Sequence, residues 1–183
     1  MPFPASAAAR GDVIAFQEAL RSALEPLIVL GEWSEVAWYA SFAESRPNHR
    51  EGFARWLRGV HALAEMHTGD LDAAAAALAG VTLDGPWLNT VDALRLALSG
   101  EGEAALARIE ALPARLGRAA RHQKDLAEVH ALAGMGRRDD ARKKLESMRK
   151  DGSIESVLDP QGPASGMAAS MIAGAEGPFR ASA

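Results

Sequence analysis

A chain of 183 residues is long enough for one domain or one short repeat array with a core of its own. With 48% hydrophobic and 24% charged residues it reads as globular, and the absence of cysteine excludes disulfides, thiolate nucleophiles and thiolate metal sites. The net charge of −4 is unevenly placed: 8 Lys/Arg against 15 Asp/Glu over residues 1–112, 11 against 5 over 113–150, and 1 against 4 from 151 onward.

Residues 1–11 lack the charged start and the apolar stretch of a signal peptide, and they read as a flexible leader. No apolar run approaches a membrane span; LIVL at 27–30 is typical, and a soluble, cytoplasmic protein is expected. Residues 12–30 place Val13, Phe16, Leu20, Leu24, Leu27 and Ile28 at helical spacing, with Pro26 marking a kink or break. Trp33 and Trp38 in the next segment are expected in the core. SRPN (45–48) then breaks the chain, and Asn48 with Glu51 forms a capping-box variant. FARWLRGVHALAEMH (53–67) sets Trp56, Val60, Leu63 and His67 on one face. LDGP (83–86) is the next breaker, with Pro86 suited to a first helical turn. WLNTVDALRLAL (87–98) offers Leu88, Val91, Leu94 or Arg95, and Leu98; RHQKDLAEVHALAGM (121–135) offers Leu126, Val129 and Leu132. No segment reads as a strand.

Four stretches share one pattern: LGEWSEVAWYASFA (30–43), TGDLDAAAAALAGV (68–81), SGEGEAALARIEAL (99–112) and MGRRDDARKKLESM (135–148). Each carries glycine in second place, at Gly31, Gly69, Gly100 and Gly136. Five residues on stand Val36, Ala74, Ala105 and Ala141; nine on, Ala40, Leu78, Ile109 and Leu145; twelve on, Ala43, Val81, Leu112 and Met148. This spacing is one stripe of a helix. The glycines are 38, 31 and 36 residues apart, the range of a helical repeat array. A chain reversing from helix to helix needs a residue that tolerates positive φ, and the small residue at the fifth place lets two helices approach closely. The predicted second helices are 34–44, 70–80, 103–112 and 139–149.

On these residues the chain resembles the tetratricopeptide repeat family over roughly residues 20–150. GDLDAA (69–74) is similar to that family's turn and second-helix start, and Pro86 falls where its terminal proline would. The first-helix signature is not reproduced, its small position being filled by Leu24, Ala62, Ala93 and Val129. The resemblance implies an all-α fold, a right-handed α-solenoid of about four helix-turn-helix hairpins over residues 12–150. Residues 151–183, rich in Gly, Ala, Ser and Pro, are then a loosely structured tail, with a short docking helix expected at 164–173.

Chemistry is sparse. His61 with Glu65 and His67, and His122 and His130 beside Asp125 and Glu128, lack metal-ligand spacing, so no metal is expected. GEG (100–102) and GMG (134–136) have no preceding strand and do not make a phosphate loop. No Gly-x-Ser-x-Gly elbow is present, and neither catalysis nor a cofactor is expected. Trp56 and Trp87 each lie 13 residues before a repeat glycine, and the resemblance implies that both line a concave groove with Met66, Thr90, Gln123 and His130. The function expected is a non-enzymatic scaffold or adaptor holding a protein or peptide in that groove. The alternatives are an oligomer-forming helical subunit, or a regulatory domain binding an anion or nucleic acid through basic residues 115–150, with Arg137, Arg138 and Arg142 as its surface. Nucleic acid is not the expected partner, because that segment has no interleaved aromatics. The ratio of Arg to Lys and the abundance of Ala and Gly suggest a bacterial source.

Overall fold

The computed structural model describes residues 13–46 and 49–150. The expected leader 1–11, Asn48 and the tail with its docking helix at 164–173 lie outside the described residues. Among those described, every regular element is an α-helix: α1 (Val13–Leu30), α2 (Trp33–Glu44), α3 (Glu51–Thr68), α4 (Leu71–Leu78), α5 (Pro86–Leu98), α6 (Gly102–Glu110), α7 (Arg118–Gly134) and α8 (Arg138–Lys150). None of these helices is long and apolar enough to cross a membrane. The chain divides into two compact units, Met1–Val81 and Thr82–Ala183.

All four repeat glycines adopt positive φ, between 75° and 92°. Each is followed by the same bond: Glu32 N to Leu27 O, Asp70 N to Glu65 O, Glu101 N to Leu96 O and Arg137 N to Leu132 O, all at 2.9 Å. The glycine N–H groups close the inner ring at 3.1–3.2 Å. Four copies of one Schellman turn therefore use up carbonyls that the helix ends would leave bare. At the second turn Asp70 also caps α4, its carboxylate accepting the Ala73 N–H at 2.8 Å.

In the first unit, α1 packs on α2, α2 on α3, and α3 on α4. Phe16, Leu20 and Leu24 bury the face of α1, and the helix runs through Pro26 without a break. Proline deletes one bond, to the Ser22 carbonyl; both residues lie on the exposed face, where solvent replaces it. Trp33 is core, as expected, its indole stacked on His67 at 3.9 Å with 6° between the planes. Trp38 is not, being 60% exposed. The buried stripe of α2 runs through Val36, Ala37, Ala40 and Ala43, and a residue two places from Val36 points to the opposite side. The start of α3 has Arg50 as its N-cap residue, with no side-chain cap.

In the second unit, α5 packs on α6 and α7, α7 on α6 and α8. Pro86 opens α5, as expected. Gly102 marks a close approach: a Cβ there would stand 2.6 Å from Met135 Cγ and 3.1 Å from the Ala131 carbonyl. That glycine serves helix packing.

The small residues of the stripe are fully enclosed, with Val36, Ala74, Ala105 and Ala141 all at 0% exposure. Ala105 packs with Leu96, Ala97, Ala131 and Leu106. Enlarging Ala74, Ala105 or Ala141 to leucine should overpack its hairpin and cost about 1–3 kcal/mol. Thermal melts of the three variants check this; three unchanged midpoints would place the close contacts elsewhere.

Candidate functional site

The six groove residues separate by unit and by burial. Trp56 and Met66 belong to the first unit, Trp87, Thr90, Gln123 and His130 to the second. Met66, Thr90, Gln123 and His130 are buried, and the Thr90 hydroxyl donates to the Trp87 carbonyl at 2.8 Å. These four cannot anchor a partner without leaving the interior, which corrects the expectation for them. Helical spacing fixes which residues share a face; it does not say whether that face meets solvent or another helix. Both tryptophans are half-buried. Trp56 receives the Arg21 guanidinium over its ring at 5.0 Å and tilts against Phe53 at 5.4 Å.

The basic surface is largely committed to its own acids. Arg137 donates to Asp140 Oδ2 from Nε at 3.0 Å and Nη2 at 2.8 Å, and Arg142 pairs with Asp139 at 3.4 Å. Arg138 lies exposed beside them. Exposed pairs one turn apart reduce the field such a patch presents to an anion.

Three ionic clusters tie helices together, and none of their cross-helix links was visible in the sequence. His61 on α3 stands between two carboxylates, with Nδ1 3.2 Å from Glu44 of α2 and Nε2 3.2 Å from Glu65. The hydrogen bond to Glu44 outweighs burial and, with Glu65, raises the imidazole above its ordinary value; both nitrogens then donate. In the second unit the buried carboxylate of Asp92 accepts from Arg95 at 3.0 Å and pairs with Arg108 of α6 at 2.9 Å. Arg108 also donates to Asn89 Oδ1 at 3.1 Å, while Asn89 Nδ2 holds the Leu83 and Gly85 carbonyls ahead of α5. Lys144 of α8 reaches Asp125 at 2.7 Å and Glu128 at 2.8 Å on α7. Burial pulls this lysine down, but the two carboxylates prevail and hold it above its usual value. No group of three or more His, Asp or Glu suited to a metal exists among the described residues.

The feature that faces outward is aromatic. On α2, Trp38 stacks on Phe42 one turn later, centroids 5.6 Å apart and planes 7° apart, and meets Tyr39 edge-on at 4.8 Å. The Arg46 guanidinium covers Phe42 at 4.7 Å. Val36, Ala40 and Ala43 take the inner stripe, so Trp38 and Phe42 form an ordered strip on the other side of the helix. A large aromatic held in place by its neighbours can take up a partner's apolar or cationic group with little further loss of entropy. Residues 1–81 carry ten Asp/Glu, six Arg and no Lys, so a cationic group is favoured there. Comparison with protein-family models, with curated proteins and with solved structures finds no match.

Proposed function

We propose that the chain is a non-enzymatic docking module, a tetratricopeptide-like array of four hairpins that holds a protein or peptide partner through the aromatic strip of α2. The exposure of Trp38, locked between Tyr39 and Phe42, carries this reading. Aromatic anchors of this kind dominate interface energies, whereas the buried members of the expected groove are spent on the fold. The strip lies on the second helix of a hairpin, so the proposal moves the docking face away from the first helices that bear Trp56 and Trp87. No cofactor or metal enters it.

A photo-crosslinking residue at position 41, exposed beside the strip, should capture the partner in the native host, and Trp38→Ser should weaken the purified interaction by at least tenfold, about 1.4 kcal/mol, with helicity and melting unchanged. Unaltered affinity in a folded Trp38→Ser protein would remove the strip from consideration. Light scattering separates the rival structural role: a wild-type oligomer that Trp38→Ser dissolves would make the strip a self-association surface.

A further inference from the structure

A second site of different chemistry lies within the second unit. A hollow of about 530 Å³ opens between α6, the loop at 111–117 and the first half of α7, with Lys144 of α8 at one wall. That volume is in the range of small-molecule sites, roughly 300–1,000 Å³. Its floor is aliphatic: Leu106 and Ile109 from α6, Leu112 and Leu116 from the loop.

Its polar wall is positive where it is free to act. Asp125 and Glu128 line the hollow, but both are held by Lys144 at 2.7 and 2.8 Å, so the three form a closed clamp between α7 and α8. Arg121 and Lys124 sit one turn apart on the same wall, and neither has an ion pair among the described residues. Arg121 Nη2 donates to the Leu116 carbonyl at 3.2 Å, which holds the guanidinium at the mouth. Beside it begins α7, with Gly117 as its N-cap residue, no side-chain cap and no acid in its first turn. Residues 117–120, which open α7, are not part of the lining, so the free positive charge of the wall is that of Arg121 and Lys124. The remaining acid of the rim, Glu110, is exposed at the last turn of α6.

We propose that this hollow binds a small aliphatic carboxylate, its hydrocarbon body on the four aliphatic residues and its carboxylate between Arg121 and Lys124. Neither the apolar floor nor the cations alone select this class. An apolar chain without a head group leaves the cations unanswered, and an inorganic anion leaves the floor wet.

The test is a titration of the full-length, isotope-labelled protein with octanoate, followed by amide shifts, with octylammonium and propanoate as controls. Saturable shifts should cluster at residues 106–128, octanoate should bind at least tenfold more tightly than either control, and Lys124→Met should lose most of that preference while melting normally. Methionine keeps the aliphatic stem and removes only the charge. Equal binding of octylammonium, shifts centred elsewhere, or no response to octanoate would each overturn the proposal. The ligand comparison uses wild-type protein and so decides the matter even if Lys124→Met fails to fold.

Discussion

Acidifying the protein from pH 6.5 to about 4 is expected to remove on the order of 3 kcal/mol of folding stability through His130 alone. His130 is buried on α7, its Nδ1 has no hydrogen-bond partner among the described residues, and burial lowers its pKa to about 4. The unfolded chain takes up a proton near pH 6.5, whereas the folded chain resists until about 4. Protons therefore favour the unfolded state throughout that window, with a slope near 1.4 kcal/mol per pH unit. Stability is complete above pH 6.5 and falls progressively below it. His61 has the opposite sign: its pKa is raised, so its contribution is full below pH 6.5 and fades as pH climbs through the folded value. Urea unfolding from pH 8 to 4 checks both, with His130→Leu flattening the acid limb and His61→Gln the neutral-to-alkaline one. An acid limb unchanged by His130→Leu would show that the imidazole is not buried as described.

The second large effect concerns Asp92. Its side chain is 6% exposed and faces two guanidinium groups, from Arg95 and Arg108. Changing both arginines to methionine strands the carboxylate in the interior, at an expected cost of about 3–5 kcal/mol. Adding Asp92→Leu should recover most of the loss, because a buried ionic cluster exchanged for apolar groups is often neutral. The asymmetry is the informative result: a triple variant as unstable as the double one would mean that the other guanidinium bonds, such as that from Arg108 to Asn89, and not the stranded charge, account for the loss. Chemical denaturation at pH 7 measures all three proteins.

What could be read from the sequence was local. The glycine turns and the stripe at five and nine residues need only the geometry of one helix and its end, and the four second helices fall within two residues of their expected bounds; at twelve residues Val81 and Leu112 lie beyond their helices, which end at Leu78 and Glu110. Trp38 shows where that logic stops. A tryptophan on a second helix reads most simply as core, although two residues from Val36 it falls on the outer face. Met66, Thr90, Gln123 and His130 fail in the other direction: the register of the resembled repeats implies a groove lined by them, and tertiary packing buries them. The links from Glu44 to His61 and from Asp92 to Arg108 join different helices, and one-dimensional spacing carries no signal for them.

The order of helix packing bears on how the chain becomes folded. The pairs that pack, α1 with α2, α2 with α3, α3 with α4, α5 with α6 and α7, α6 with α7, and α7 with α8, are first or second neighbours in the chain. Closing the loops between such partners sacrifices little chain entropy, and topologies of this kind fold in about microseconds to milliseconds. During synthesis, each hairpin of Met1–Val81 finds its packing partners among helices that have just emerged, so the first unit can begin to collapse before Thr82–Ala183 has been translated. A chain with one tyrosine, five phenylalanines, four tryptophans and so much alanine has little aromatic mass with which to hold a half-made core. Short-range closure spares it that wait.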